Sequence, residues 1–391
     1  MNEIPRQDYE AFVEEHKEET IELLKKWASI PAPSHQEEQK ALAVRDWLRD
    51  QGAGTAFIDK AGNVVFEMGC QDAQKVLLFM AHLDVVFPDT EPFVIREEDG
   101  KLLAPGIGDD TANLVQLMMA VKYILTRGLQ PPKGLGLVFA ANTCEEGLGN
   151  LKGSRYLCTK WGSRIAAFLS LDGYTGWIVT KAVGSQRYKI TVRTEGGHSY
   201  SAFGNPNAIH ILSGIIQQLY SVRLPKEAKT TYNVGTIEGG TTINSIAQKA
   251  SMTYEFRSES HECLHKMEEF LNSVIQSVRK AGWDVELTTL GIRPCNQGVD
   301  ETRLGALSLC CQKVLERYET AAPKTKASST DANIPLSMGI PACTVGCVKG
   351  GGAHTREEWI WIDSMVPGQK AALGMILSII YDVYGDFWGV R

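Results

Sequence analysis

The chain has 391 residues, a length typical of two domains or of one domain with a large insertion. Its hydrophobic content of 43% and charged content of 22% are those of an ordinary globular protein, and no stretch reaches the roughly 20 apolar residues that span a bilayer. The net charge of −6 gives no reason to expect a nucleic-acid partner. Composition therefore predicts a globular protein that acts on neither nucleic acid nor membrane.

The beginning of the chain is acidic and polar, and we expect no leader segment in it. The nine cysteines are scattered, odd in number and without a C-x-x-C pair, which is typical of reduced thiols. Cys343 and Cys347 lie in a predicted strand, so we interpret them as core residues. These features predict a cytoplasmic protein.

Helices are predicted first, by apolar residues at helical spacing over 9–30 and 36–53. Apolar runs that do not alternate in polarity follow, separated by helical stretches. The runs cover 63–68, 76–86, 134–143, 165–173 and 341–347, and the helical stretches 112–128, 151–163 and 302–319. Strands covered on both faces and alternating with helices predict an α/β domain with a mostly parallel sheet.

The pattern changes near Val183, where strands at 185–197 and 249–260 alternate apolar and polar residues. Helical stretches at 205–222 and 262–282 accompany these two strands. We therefore predict an inserted α+β domain at 184–293, within an α/β domain formed by 1–183 and 294–391.

Polar residues gather where the predicted parallel strands end. His82 and Asp84 end one run, Glu145 and Glu146 follow another, and Asp172 ends a third. Ligands of open α/β sheets bind outside the carboxyl ends of the strands. Each residue also has a simpler interpretation: a hydrogen-bonded core histidine, a solvated pair of glutamates, or an aspartate in a turn.

Two further sites extend this set. Asp109 and Asp110 lie in a glycine-flanked loop before a helix, where carboxylates often act as caps, and His354 follows a glycine run that could be only a flexible loop. Together, however, so many carboxylates at one sheet edge would repel each other without cations. Two histidines with several carboxylates suit two divalent ions, Zn²⁺ above all, with Co²⁺ or Mn²⁺ as alternatives.

A set of motifs in fixed order resembles the M20 metallopeptidase family. The motifs are "HLDVV", "GIGDDTANL", "CEEGLGNLKGSR", "LSLDG", "GGHSYSAFGNPNAIH", "NSIAQKA…FRS", "SSTDANIPLSMGIP" and "GGGAHT". The resemblance implies a phosphorylase/hydrolase-like catalytic domain with an inserted lid and dimerisation domain. It also implies a cis peptide after Asp109.

The resemblance assigns a role to each matching residue. It implies metal ligation by His82, Asp109, Glu146, Asp172 and His354, with Asp109 bridging the two ions. Asp84 would orient His82 by receiving its second ring N–H. Glu145 would be the general base on the water between the ions.

The inserted domain carries three more matches. His198 matches a histidine that reaches a catalytic site, often that of the partner subunit, which implies a homodimer. Asn244 and Arg257 match residues that hold polar groups of the substrate, although Arg257 could also be an ordinary surface charge.

The leading hypothesis is hydrolysis of an amide bond in short peptides. Position 172 is an aspartate, where some relatives in the family have glutamate, and this favours the peptidase branch. Deacylation of N-acetyl or N-succinyl amino acids is the alternative, and an inactive binding homologue is a third hypothesis. No G-x-G-x-x-G follows the first predicted strand, which argues against a nicotinamide enzyme.

Overall fold

The computed structural model describes residues 6–318 and 322–381. Contacts between Cα atoms divide the chain into two compact units. The first unit contains the described residues up to Ala182 and from Gln297 onwards, and the second unit is Val183–Asn296.

The elements follow in chain order. The first part of unit one contains α1 (Arg6–Glu15), α2 (Lys17–Ala28), α3 (Glu38–Asp50), β1 (Phe57–Ile58), β2 (Val64–Met68), β3 (Lys75–His82), β4 (Arg96–Glu98), β5 (Lys101–Leu103), a π-helical turn (Ile107–Ala112), α4 (Asn113–Thr126), β6 (Leu135–Asn142), α5 (Lys152–Trp161), β7 (Ile165–Leu171) and β8 (Trp177–Ala182). Unit two contains β9 (Gly184–Arg193), β10 (Gly197–His198), α6 (Ala208–Leu219), β11 (Thr230–Gly239), β12 (Ser245–Ile246), β13 (Lys249–Ser258), α7 (His261–Lys280) and β14 (Asp284–Arg293). The chain then returns to unit one with α8 (Glu301–Leu315), β15 (Lys324–Ser328), α9 (Asn333–Ser337), β16 (Ala342–Val345), β17 (Gly350–Gly351), β18 (Trp359–Trp361) and α10 (Met365–Ile380).

The large sheet of unit one has the strand order β1-β2-β6-β3-β7-β16-β8-β15. Its central strands run parallel, since β3 pairs in parallel with β6 and β7, and β7 with β16. The pairings β1·β2, β2·β6 and β16·β8 are antiparallel. Nearly every residue of β3, β6 and β7 is buried, which explains why their sequences do not alternate in polarity. The predicted α/β fold with a mostly parallel sheet is confirmed.

Two predicted helices differ in detail from the structure. The single helix predicted over 9–30 is divided at His16, whose ψ of 13° leaves the helical range. The His16 ring nitrogen lies 2.8 Å from the carbonyl oxygen of Phe12. The helix predicted to reach 319 ends at Leu315, and residue 319 lies outside the described residues.

Unit two is built on an antiparallel sheet with the order β11-β13-β9-β14. Tyr188, Ile190 and Val192 alternate along β9 as buried residues, and α6 and α7 pack against the sheet. The prediction missed β11 and β14. In β11 only Thr230 is buried, so this edge strand carries almost no apolar alternation.

A smaller sheet of unit one has the order β17-β18-β5-β4 and lies beside the loop that carries His354. Among the helices within 6–318 and 322–381, none combines the length and the apolar character needed to cross a bilayer.

Candidate metal centre

Three neighbouring strands of unit one bring polar residues to one edge of the large sheet. His82 ends β3 and pairs in register with Asn142, which ends β6 three residues before Glu145. Asp172 follows the last residue of β7 directly. The parallel strands therefore bring His82, Glu145 and Asp172 to the same edge, as the positions of these residues in the sequence predicted.

Asp109 lies at the middle of this cluster, and its two carboxylate oxygens point to different neighbours. Its Oδ1 is 3.1 Å from His82 Nε2, and its Oδ2 is 3.3 Å from His354 Nε2. The peptide bond between Asp109 and Asp110 is cis, as the resemblance implied. The surrounding π-helical turn has a non-helical residue at Asp109, with φ −112° and ψ 86°.

A second carboxylate lies near each of the two histidines that Asp109 contacts. Asp172 Oδ1 lies 3.9 Å from His82 Nε2, and Glu146 Oε1 lies 3.0 Å from His354 Nε2. Ligand atoms of the group Asp109, Glu146 and His354 all lie within 4.8 Å of one another, as do those of a group that includes His82, Asp109 and Asp172. The structure thus brings all five predicted ligands into two groups that share Asp109.

The charges of the cluster are those of a cation-binding site. Burial raises the pKa of Asp172, and the carboxylates of Asp109 and Asp110 raise it further. Burial lowers the pKa of His82, but the surrounding aspartates outweigh it and raise the pKa well above its usual value. A site of this kind either takes up protons or binds cations. Two imidazoles and three carboxylates, without a thiolate, fit Zn²⁺ or a similar divalent ion.

Asp84 supports the site in a different way from the one predicted. The Nδ1 atom of His82 lies 2.9 Å from the backbone oxygen of Asp84 and 3.6 Å from its carboxylate. The carboxylate instead accepts hydrogen bonds from the backbone N–H groups of Glu145 (2.9 Å) and Glu146 (3.0 Å), and from the Ser34 hydroxyl (2.6 Å). Asp84 therefore orients His82 through its carbonyl oxygen, and its carboxylate fixes the turn that carries the two glutamates.

Asp110 also belongs to the cluster, and the sequence suggested no role for it beyond that of a helix cap. Its Oδ2 accepts the backbone N–H of His82 (2.9 Å), and its Oδ1 accepts from the side-chain amide of Asn113 (2.8 Å). Since both oxygens accept hydrogen bonds, Asp110 ties the end of β3 to the start of α4.

Two other buried charged residues were missed because no motif marks them. Lys40 donates to the carbonyl oxygen of Leu83 (3.0 Å) and to the Thr111 hydroxyl (2.9 Å), and burial lowers its pKa to about 8. Glu358 accepts three backbone N–H groups of the loop that carries Asp109. Both residues act on segments distant in sequence, so only the structure places them.

The three predicted residues of unit two lie on two strands and a loop. His198 on β10 pairs with Ser245 on β12, directly after Asn244, so His198 and Asn244 are neighbours. The Nδ1 of His198 accepts the backbone N–H groups of Tyr200 (3.2 Å) and Ser201 (3.4 Å).

Arg257 already has a carboxylate partner. Its Nε and Nη2 atoms donate to the two oxygens of Glu255 at 3.0 and 3.1 Å. A substrate carboxylate at this position would have to share the guanidinium with Glu255.

A mostly parallel α/β sheet that gathers histidines and carboxylates around one aspartate is typical of metal-dependent hydrolases. The chain belongs to the peptidase family M20/M25/M40, whose family model matches residues 78–378. The chain is therefore a hydrolase of this family, as the resemblance implied.

Individual relatives of known sequence or structure agree with this assignment. A succinyl-diaminopimelate desuccinylase of Corynebacterium glutamicum is 27% identical over 350 residues, which cover 86% of this chain and 90% of that enzyme. Aminopeptidase PepT from Bacillus cereus has a TM-score of 0.69 at 20% identity, covering 93% of this chain and 98% of its own. A tripeptidase from Staphylococcus aureus has a TM-score of 0.74 at 18% identity, covering 93% and 99%. At such identities the two structures show a common fold.

Proposed function

We propose that this chain hydrolyses an amide bond in short peptides with two divalent cations, for which Zn²⁺ is the best fit and Co²⁺ or Mn²⁺ alternatives. The observation that carries the proposal is the position of Asp109, whose two oxygens face separate ligand groups. His82 and Asp172 complete one group, and Glu146 and His354 complete the other. One carboxylate shared in this way is the arrangement that two-metal hydrolases use.

Glu145 is the proposed general base. When bound, the two cations would act as Lewis acids that favour attack of water on the amide carbonyl. Glu145 is only 5% exposed, and its backbone N–H donates to the Asp84 carboxylate. Its carboxylate takes the proton of the attacking water and passes it to the leaving nitrogen, as a positioned general base does.

We propose that His198 takes part in catalysis as a hydrogen-bond donor, as the resemblance implies for a histidine that reaches a catalytic site, often that of the partner subunit. Because its Nδ1 accepts two backbone N–H groups, the neutral ring carries its proton on Nε2. An N–H donor aimed at developing negative charge lowers the barrier to amide hydrolysis. The neighbouring Asn244 and the guanidinium of Arg257 would bind polar groups of the substrate.

N-acyl amino acid deacylation is the second candidate. The observation that favours it is the 27% identity to a succinyl-diaminopimelate desuccinylase over most of both chains. The aspartate at position 172 favours the peptidase branch of the family, and we therefore propose peptides rather than N-acyl amino acids as the first candidate substrates.

A substrate panel separates the two candidates. The purified protein, loaded with Zn²⁺, Co²⁺ or Mn²⁺ in turn, is given di- and tripeptides and, in parallel, N-acetyl and N-succinyl amino acids. We expect the highest kcat/KM with a peptide. Turnover of the N-acyl compounds alone would replace the peptide proposal with the deacylase.

We further propose that the chain forms a homodimer through unit two. The edge strand β11 is largely exposed along its length, and Ile237 on β11 and Ile209 on α6 are 56% and 41% exposed. Exposed edge strands are natural pairing surfaces, and apolar side chains beside them favour burial by a second copy. Light scattering of the wild-type protein and of Ile237→Glu tests this, with a dimer and a monomer as the expected states.

A cytoplasmic location is also proposed. Its support is that all nine cysteines are free thiols, and all nine are buried.

A further inference from the structure

Glu358 is a buried acid at the back of the proposed metal centre, and the proposed hydrolysis gives it no role. It is 1% exposed. Its Oε2 accepts the backbone N–H of Gly106 at 2.7 Å, and its Oε1 accepts those of Gly108 at 2.9 Å and Asp109 at 2.7 Å. The carboxylate therefore fixes the backbone on which Asp109 stands.

A fourth hydrogen bond connects Glu358 to another ligand segment. The hydroxyl of Tyr174 donates to Glu358 Oε1 at 3.0 Å, and Tyr174 lies two residues after Asp172. The fit between these parts is close, because a Cβ at Gly108 would lie 2.6 Å from the Tyr174 ring. A single carboxylate thus links the segments that carry Asp109 and Asp172.

The third ligand segment is the one that contains Glu358 itself. His354 lies four residues before Glu358, and the backbone N–H of Glu358 donates to Thr355 at 3.3 Å in the intervening turn. The carbonyl oxygen of Glu358 accepts the N–H of Ala104 at 3.0 Å, next to β5. The position of His354 is therefore tied to the same buried carboxylate.

We propose that Glu358 is a positioning residue that sets the distances among Asp109, Asp172 and His354, and so the geometry of the proposed metal centre. Three backbone donors and one hydroxyl donor suit an acceptor-only carboxylate, because charge-assisted bonds are short and strong. An amide at this position cannot replace it, since its NH₂ group would face an N–H donor. The inference rests on the proposed binding of two divalent cations.

The test uses Co²⁺, whose visible absorption spectrum depends on ligand geometry. Metal-free wild-type protein, Glu358→Gln and Glu357→Gln are titrated with Co²⁺, and the spectrum, Kd and metal per chain are measured. Glu357 is the matched control, because it is the adjacent glutamate, is 74% exposed and pairs with Arg96 on the surface. Thermal unfolding of each metal-free protein is followed by circular dichroism.

We expect Glu358→Gln to raise the Kd for Co²⁺ at least tenfold and to change the spectrum of the bound ion, while Glu357→Gln matches wild type in both. A wild-type spectrum and Kd in Glu358→Gln would overturn the proposal. A lower unfolding temperature of the metal-free variant would not rescue it, because lost stability with unchanged Co²⁺ binding describes a residue that only stabilises the fold. If Glu358→Gln does not fold, Tyr174→Phe takes its place, since it removes one donor and keeps the ring. A changed Co²⁺ spectrum in Tyr174→Phe supports the proposal, and an unchanged one overturns it.

These readouts need no substrate. If wild-type protein bound no Co²⁺, the proposed metal centre itself would be wrong. If wild-type protein bound Co²⁺ but hydrolysed no peptide, only the proposed substrate would be wrong, and the test of Glu358 would stand.

Discussion

Replacing Asp84 by asparagine distinguishes two ways in which this residue could support catalysis. Asparagine keeps one acceptor oxygen and replaces the other by an NH₂ donor. Its oxygen is best placed where Oδ2 now accepts from both Glu146 and Ser34. Its NH₂ group then faces the backbone N–H of Glu145, which loses its acceptor at 2.9 Å.

The magnitude follows from that single loss. A buried N–H without an acceptor costs about 1–3 kcal/mol, which we expect as the decrease in the free energy of unfolding of Asp84→Asn. The backbone N–H that loses its acceptor belongs to Glu145, the proposed general base. The backbone carbonyl oxygen of residue 84, which contacts the His82 ring, is unchanged by the substitution. A displacement of about 1 Å at a catalytic group can lower turnover roughly 100-fold. We therefore expect a large loss of kcat with both metal ions retained.

The assay compares kcat, KM and metal per chain for wild type, Asp84→Asn and Ser34→Ala, together with urea unfolding of the metal-free proteins. Ser34→Ala is the control because it removes one partner of the same carboxylate and leaves both backbone N–H groups satisfied. We expect it to change stability by only about 0.5–1.5 kcal/mol. Loss of metal from Asp84→Asn in proportion to its loss of kcat would refute the reasoning, since Asp84 would then act through His82.

Three further predictions follow. Glu145→Gln should keep both ions and lower kcat about 100- to 10,000-fold, measured with elemental analysis on the same sample; an active variant would exclude Glu145 as the base. His82→Ala should bind fewer ions per chain than wild type, so that added Zn²⁺ does not restore turnover; full metal content would remove His82 from the ligand set. Lys40 has a pKa of about 8 in the folded protein against 10.5 unfolded, so the unfolded chain binds more protons between these values and folding stability rises with pH there. The unfolding free energy of wild type minus that of Lys40→Met should rise by about 1.4 kcal/mol per pH unit from pH 8 to 10.5, measured without metal, and a flat difference would contradict the lowered pKa.

The positions of the candidate site residues could be predicted because they depend on strand order in a simple way. His82, Glu145 and Asp172 each follow an apolar run, and parallel neighbours end at the same edge of a sheet. The sheet itself was predictable because β3 and β6 are buried on both faces, and strands of this kind appear in the sequence as unbroken apolar runs.

The supporting residues could not be predicted, because their partners are distant in the chain. Glu358 is separated by 250 residues from Gly108, whose N–H it accepts, and the second of two adjacent glutamates between an arginine and a tryptophan carries no signal of burial. Lys40 was assigned only to a helix, and helical spacing gave no reason to bury an ammonium group. The backbone donors to the Asp84 carboxylate could not be predicted, because strand spacing gives proximity to His82 but not the turn that carries Glu145 and Glu146.

The strand order of unit one has a consequence for how the chain is made. Strand β16 lies between β7 and β8, although it is synthesised about 160 residues after them. Until β15 and β16 are synthesised, one edge of β7 and both edges of β8 lack the strands that pair with them in the finished sheet, although the contiguous segment Val183–Asn296 has already been made. Open strand edges can pair with other chains, so we expect the nascent chain to be prone to aggregation in the interval between the synthesis of β8 and that of β16.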